Sequence, residues 1–129
     1  MKEPLASRLH FIFEALTTLI GEFNPSEAGV EEAFMTNNAM SALKLGQARA
    51  ACLLAATTNG LNVGEYAARL VKKSVVGTGA ADKAQVAHMV NLLLSGVNVK
   101  AGDAADALAI AITHGNHTHI SGLNNRRAS

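Results

Sequence analysis

The sequence predicts a small α/β domain, and three observations favour that class. Segments with helical periodicity alternate with two short segments of strand character, in the order α, β, α, β, α, α. Apolar residues make up 49% of the 129 residues and charged residues 16%, which is an ordinary globular balance. Because aromatic residues make up only 4%, the core is expected to consist mainly of Leu, Val, Ala and Met.

The first half of the chain divides at clear boundary signals. Apolar residues recur every three or four positions from Leu5 to Phe23, which predicts an amphipathic helix that ends near residues 21–25. A weak strand is predicted over residues 28–33. A second helix then begins after an N-cap at Asn37 or Asn38 and stops at the Asn-Gly pair of residues 59 and 60.

The second half begins with the segment LNVGEYAA, which predicts a second short strand. RLVKKSVVGTGAAD is interpreted as a basic, glycine-containing connection, and KAQVAHMVNLLLSG as a third helix that stops at Gly96. A loop then leads to a fourth helix that opens at Asp103. Four helices and two strands are therefore expected.

Composition and charge limit the location of the protein. Acidic residues interrupt the start of the chain, and the uncharged runs fall short of the ~20 apolar residues of a membrane span, so neither export nor membrane insertion is expected. The single cysteine, Cys52, has no partner for an intrachain disulfide, which favours a cytoplasmic location.

Positive charge is concentrated in the middle of the chain. Residues 1–43 carry a net charge of −4, whereas residues 44–100 carry +5. Such a block can bind phosphates, although a solvated surface is the commoner explanation of charge alone. Its basic residues are Lys44, Arg49, Arg69, Lys72, Lys73, Lys83 and Lys100.

Two aspartates, Asp103 and Asp106, stand three residues apart at the start of the fourth helix. Locally, Asp103 suits an N-cap, and the helix dipole favours Asp106. Residues three apart also share a helix face, so both carboxylates could converge on a hard cation. Glu31, at the end of the first predicted strand, is a candidate third ligand or a solvated strand end.

Four segments of the chain match known motifs, and they are VEEAFM, ALKLGQARA, EYAARLVKKSVVGTGAADKAQVAHMV and DAADALAIAITH. These segments closely resemble the successive motifs of the bacterial Holliday-junction resolvase family RuvC. The resemblance covers residues 4–114 in the family's order and spacing. It implies an RNase-H-like α/β endonuclease that acts as a homodimer on four-way junction DNA, in recombination and repair, with branch-migration proteins as further partners.

The resemblance also implies roles for individual residues. Glu31, Asp103 and Asp106 match three of the four carboxylates that hold two Mg²⁺ ions in the family. Mn²⁺ is an alternative ion, and the three residues are assigned to catalysis. Lys72 and Lys83 match lysines at the scissile phosphates, with Lys83 assigned to catalysis. The remaining DNA-binding candidates are Phe34, which resembles an aromatic residue at the junction centre, and Arg69 and Lys73 beside Lys72.

The chain departs from the family pattern at its start. The family opens with a strand carrying GIDPG, whose aspartate is the fourth metal ligand, and this chain enters the pattern at the first helix. We therefore expect a truncated nuclease domain over residues 1–115, with a reduced sheet and about four helices, and a flexible polar tail over residues 116–129. Little cleavage activity is expected from a site that has lost a shared ligand.

Two other functions remain open. A module that binds branched DNA without cutting it would need the lysines and Phe34 but not Asp103. A small helical protein could instead self-associate through the small residues of the second helix, with the aspartates acting only as caps. His114, His117 and His119 near the end are either transition-metal ligands or incidental residues of a polar terminus.

Overall fold

The computed structural model describes residues 3–32 and 38–128, with side chains described as far as Thr118. These residues form five helices and two strands, which confirms the α/β class and adds one helix to the four predicted. In chain order they are α1 (Leu5–Phe23), β1 (Glu27–Glu31), α2 (Ala39–Thr58), β2 (Asn62–Tyr66), α3 (Ala68–Val76), α4 (Lys83–Leu93) and α5 (Asp103–Ala128).

The two strands lie side by side in a parallel sheet, and α2 supplies the crossover that a parallel pair requires. The chain divides into two compact units, Met1–Gly64 and Glu65–Ser129. Helix α1 and strand β1 belong to the first unit together with α2. Strand β2 crosses the boundary, and the last three helices belong to the second unit.

In the first unit, α1 packs against α2. Helix α1 ends where Asn24 adopts a left-handed conformation with φ of 48°, inside the predicted range. Asn38 caps α2, because its Oδ1 accepts from the main-chain N–H groups of Met40 at 3.0 Å and Ser41 at 3.2 Å. Small residues of α2 make the buried side of this unit, and they are Ala51, Ala55 and Ala56.

The second unit has a compact core in which α3, α4 and α5 pack against one another. Val90 of α4 is fully buried, and Ala109 of α5 is 1% exposed, so these two helices meet through small and β-branched side chains. The core cluster consists of Tyr66, Val71, Val75, Ala81, Val86, Val90 and Ala109.

The interpretation of residues 69–82 as a connection was wrong in its first half, where the structure has α3. The glycines and basic residues of the segment indicated a connection, and its three valines lower the helix propensity further. Val71 and Val75 are one turn apart and both buried in the core, so tertiary packing overrides propensity here. The helix ends at Gly77, whose φ of 98° favours glycine.

Helix α5 continues through Ala128, so the backbone of residues 116–128 is helical. The division into a nuclease domain of residues 1–115 and a polar tail of residues 116–129 stays a prediction. Across the described parts of the chain, no helix has both the length and the apolar character needed to cross a membrane.

Candidate functional site

Asp103 and Asp106 lie in the first turn of α5 and face the same side of the helix. The helix follows Gly102, whose carbonyl oxygen accepts from the N–H of Asp106 at 3.0 Å. Gly102, with φ of 153°, therefore occupies the cap position, and Asp103 is the first helical residue. The Asp103 side chain is exposed and that of Asp106 is half-buried. Both carboxylates lie at the positive end of the helix dipole, where negative charge is stabilised.

The loop that leads to Asp103 is held by a side chain of α4. The Nδ2 group of Asn91 donates to the carbonyl oxygen of Val99 at 2.8 Å, and its Oδ1 accepts from the Val99 N–H at 2.9 Å. Both residues are half-buried. This pair of hydrogen bonds fixes the backbone four residues before Asp103. Sequence reasoning missed Asn91, because an asparagine inside a helix gives no local sign of its partner eight residues away.

We expect Asn91→Asp to destabilise the second unit by about 1–3 kcal/mol, the usual cost of leaving a partly buried polar group without its partner. The substitution removes the Nδ2 donor and brings a carboxylate against the Val99 carbonyl oxygen. Thermal unfolding measures the loss, and amide hydrogen exchange of Val99 should increase. Asn98→Asp, at an exposed neighbouring position, is the matched control. Equal effects of both changes would contradict the assigned role of Asn91.

Glu31 is the last residue of β1, and its side chain is exposed. Its main-chain carbonyl oxygen accepts from Nε of Arg49 at 3.0 Å, which ties the end of the strand to α2. Phe34 lies outside the described residues, so its predicted contact with bases stays a prediction.

The three predicted metal ligands are divided between the two units. Glu31 belongs to the first unit, whereas Asp103 and Asp106 belong to the second. Within either unit, the described residues bring together no group of three or more His, Cys, Asp or Glu side chains that could hold a metal ion. The structure thus brings the two aspartates together, and the convergence of Glu31 on them stays a prediction.

The basic candidates lie in the second unit, in α3 and at the start of α4. Arg69, Lys72 and Lys73 are three and four residues apart on α3 and therefore share one face. Arg69 and Lys73 are exposed, and Lys72 is half-buried. Lys83 is the exposed first residue of α4, directly after the capping box formed by Asp82 and Gln85.

Two of the candidate transition-metal ligands, His114 and His117, have described side chains, whereas the side chain of His119 lies outside the described part of the chain. His114 is 9% exposed, and its Nδ1 lies 2.6 Å from the hydroxyl oxygen of Tyr66. The Tyr66 ring also packs against that of His117, with centroids 5.3 Å apart. His114 and His117 are thus part of the second unit's packing. Burial raises the pKa of the Cys52 thiol, which makes it a poor nucleophile.

Comparisons with known proteins agree with the fold. The profile of the family described as "Crossover junction endodeoxyribonuclease RuvC" matches residues 1–114. A curated relative of that description from Maricaulis maris is 61% identical over 120 residues, which cover 93% of this chain and 72% of the relative. A second relative, from Marinobacter nauticus, is 55% identical over 113 residues, which cover 88% of this chain and 65% of the relative.

Solved structures give the same result. The structure described as "T. thermophilus RuvC in complex with Holliday junction substrate" has a TM-score of 0.83 and 35% identity, and the match covers 92% of this chain and 73% of that one. A second Thermus thermophilus RuvC structure has a TM-score of 0.79. The fold is thus of the RNase-H-like α/β class. The chain belongs to the RuvC family of crossover junction endodeoxyribonucleases.

Proposed function

We propose that the chain is a structure-selective endonuclease that cleaves four-way DNA junctions by magnesium-dependent hydrolysis of phosphodiester bonds. The supporting observation is that the second unit carries acidic and basic side chains on helices that pack against each other. One of its helices opens with two carboxylates that share a face, and a helix packed against it carries Arg69, Lys72 and Lys73. Carboxylates suit a hard cation, and a basic face suits the phosphates of DNA.

Asp103 and Asp106 would hold Mg²⁺ together with Glu31, and Mn²⁺ is an alternative ion. The complete carboxylate set of the family holds two ions. The donor set fits, because all three side chains offer carboxylate oxygens and none of the three is fully buried. Mg²⁺ keeps several of its waters and so needs access to solvent. When bound, the metal activates the attacking water and stabilises the leaving oxygen.

The basic residues would position the phosphate and neutralise its charge. Lys72 contacts the phosphate of the scissile strand, and Lys83 stabilises the negative charge that develops on its oxygens. The water oxygen forms a bond to phosphorus, the bond to the leaving sugar oxygen breaks, and that oxygen takes a proton. We propose that the 129-residue chain performs this step slowly, because three carboxylates make an incomplete set compared with the family's four.

The remaining parts of the proposal concern partners and location. A homodimer would present two related sites to a four-way junction, whose arms are themselves arranged with approximate two-fold symmetry. Branch-migration proteins are proposed as further partners by family resemblance alone. A cytoplasmic location would suit a DNA substrate and the free Cys52.

Junction binding tests this proposal directly. We expect affinity for a synthetic four-way junction to exceed that for linear duplex and to fall steeply with salt. Replacing both Lys72 and Lys73 by alanine should reduce the slope of log affinity against log salt by about 2, one for each phosphate contact. Replacing both Lys44 and Lys100, which are exposed and lie outside α3, makes the same charge change and is the matched control.

The outcomes separate the three hypotheses. Absence of junction binding at low salt would contradict the proposal. Salt-sensitive binding without cleavage, even after an N-terminal segment of a relative is added, would favour the non-cleaving module. A thermal stability that does not respond to Mg²⁺ would favour the small helical protein, because a ligand that binds the folded state raises its stability.

A further inference from the structure

The side chain of Arg69 lies directly against the backbone of Gly79. A Cβ atom built on Gly79 would lie 2.5 Å from Cγ of Arg69, 2.9 Å from its Nε and 3.3 Å from its Cδ. Real Cβ atoms essentially never approach another heavy atom within 3.0 Å. Any side chain at position 79 would therefore force the Arg69 side chain to move.

The backbone conformation does not explain a glycine at position 79. Glycine is favoured where φ is positive, as at Gly77, whose φ is 98°. Gly79 is not among the described glycines with positive φ. An alanine could adopt its backbone conformation, so the distinctive property of glycine here is the space that it leaves for Arg69.

The loop that carries Gly79 is fixed at both ends. At its start, the N–H of Gly77 donates to the carbonyl oxygen of Lys73 at 2.9 Å and closes α3. Inside the loop, Thr78 Oγ1 accepts from the N–H of Ala80 at 3.2 Å. At its end, the Asp82 side chain caps α4, and Ala81 is 3% exposed. The stem of Arg69 thus rests on a loop whose position relative to α3 is defined.

The charge around Arg69 favours an anion. Arg69 shares its helix face with Lys72 and Lys73, and the acidic residues nearest in sequence are Glu65 and Asp82, of which Asp82 caps α4. The guanidinium is a planar fork that can bind two phosphate oxygens at once, and a restricted side chain loses less freedom when it does so. An exposed Arg69 whose stem lies against the Gly79 backbone is therefore suited to a phosphodiester group.

We propose that Gly79 is a positioning residue, which holds Arg69 as a phosphate-binding fork at the connection between α3 and α4. The ligand is a backbone phosphate of DNA, so the inference rests on the proposed function and adds to it a residue that determines where one phosphate is held. Gly79 acts through Arg69 and does not itself need to contact DNA.

A double-mutant cycle tests this role. We compare the parent chain, Gly79→Ala, Arg69→Ala and the double variant for binding to a fluorescent four-way junction, in buffer without divalent cations and over a series of salt concentrations. Arg69→Ala should lower the salt slope by about 1, the value for one lost phosphate contact. Gly79→Ala should lower affinity in the parent and have no further effect once Arg69 is absent.

Gly115→Ala is the matched control, because a Cβ at Gly115 of α5 meets no atom within 4 Å. It should leave both affinity and slope unchanged. Thermal unfolding accompanies each measurement. If Gly79→Ala alone fails to fold, folding of the double variant supports the assigned contact, because removing the arginine stem removes the clash. A double variant that also fails to fold overturns the inference.

Two further results would overturn it. One is a Gly79→Ala variant that binds the junction as tightly as the parent. The other is an equal loss of junction affinity when Gly79→Ala is made in the parent and in the Arg69→Ala variant. If the Lys72 and Lys73 changes weaken binding while the Arg69 and Gly79 changes do not, this inference fails and the proposed function stands. A parent chain that does not bind the junction overturns both.

Discussion

Replacing Asp103 or Asp106 by asparagine is expected to lower magnesium-dependent junction cleavage by about 100-fold or more. A weakened metal site would leave the attacking water misplaced, and a misplacement of about 1 Å can alone cost that factor. Asparagine keeps the size of the side chain and removes the negative charge that attracts the cation. Both positions lie in the first turn of α5, where the side chains are at least partly open to solvent. Junction binding should be retained, because the basic face of α3 is unchanged.

The cleavage assay uses the 129-residue chain and the same chain extended at its N-terminus with the corresponding segment of the Maricaulis maris relative. Slow cleavage by the first and faster cleavage by the second would agree with the proposed activity. Asp82→Asn is the matched control, because it removes one negative charge from the same unit while asparagine still caps α4. Parent-like cleavage by both the Asp103→Asn and Asp106→Asn variants would exclude these carboxylates from the chemistry.

Enlarging a buried alanine of α5 should clearly destabilise the second unit. Ala105 and Ala109 are each 1% exposed, and Thr113, one turn further on, is fully buried. These small residues let α5 pack closely against α3 and α4. Ala109→Leu should therefore cost about 1–3 kcal/mol, the usual range for overpacking a filled core. At roughly 4–8 °C per kcal/mol for a domain of 60–100 residues, thermal unfolding followed by circular dichroism will detect it.

Ala111→Leu is the control for this prediction. Ala111 is exposed on the same helix, and surface changes of this kind usually lie within about 0.5 kcal/mol of the parent. Leucine has a similar helix propensity at both positions, so the difference between the two variants isolates the packing effect. Equal stabilities of the two variants would contradict the packing of α5 described above.

Local chemistry allowed the sequence to predict much of the fold. The start of α2 follows from Asn38, whose side chain satisfies two N–H groups of the first turn. A helix that opens at Asp103 was also predicted correctly, because an apolar helical pattern starts there after glycine. The expectation that Asp103 is the N-cap was wrong, because Gly102 occupies the cap position. In each case the signal and the structure lie within a few residues of each other, so periodicity and capping suffice.

Features that depend on distant residues could not be predicted in this way. Helix α3 was missed because its valines favour a helix only when Val71 and Val75 have a core to pack against. Gly79 was predicted only as part of a glycine-containing connection, whereas in the structure its backbone lies against the Arg69 side chain. The contact between Gly79 and Arg69 leaves no periodic trace in the sequence. The spacing of Val71 and Val75 is helical, but the glycines and basic residues of the segment outweighed it.

The candidate site likewise has one part that local sequence rules predict and one part that they do not. The pairing of Asp103 and Asp106 follows from their spacing on one helix, and the structure agrees. The association of Glu31 with them depends on how residues more than 70 positions apart meet, and local rules contain no information on that. The strand-end position of Glu31 left a metal ligand and a solvated side chain both open, and only the family resemblance favoured the ligand. The association is the central claim about the chemistry of this chain.

A metal-affinity cycle tests that claim most directly. Mn²⁺, which shares the oxygen ligands of Mg²⁺, is titrated into the parent chain, Glu31→Gln, Asp103→Asn and the double variant, and free ion is followed by electron paramagnetic resonance. If the carboxylates share an ion, each single change weakens binding, and the losses are not additive in the double variant. Parent-like affinity of Glu31→Gln, alongside a clear loss in Asp103→Asn, would contradict a shared site.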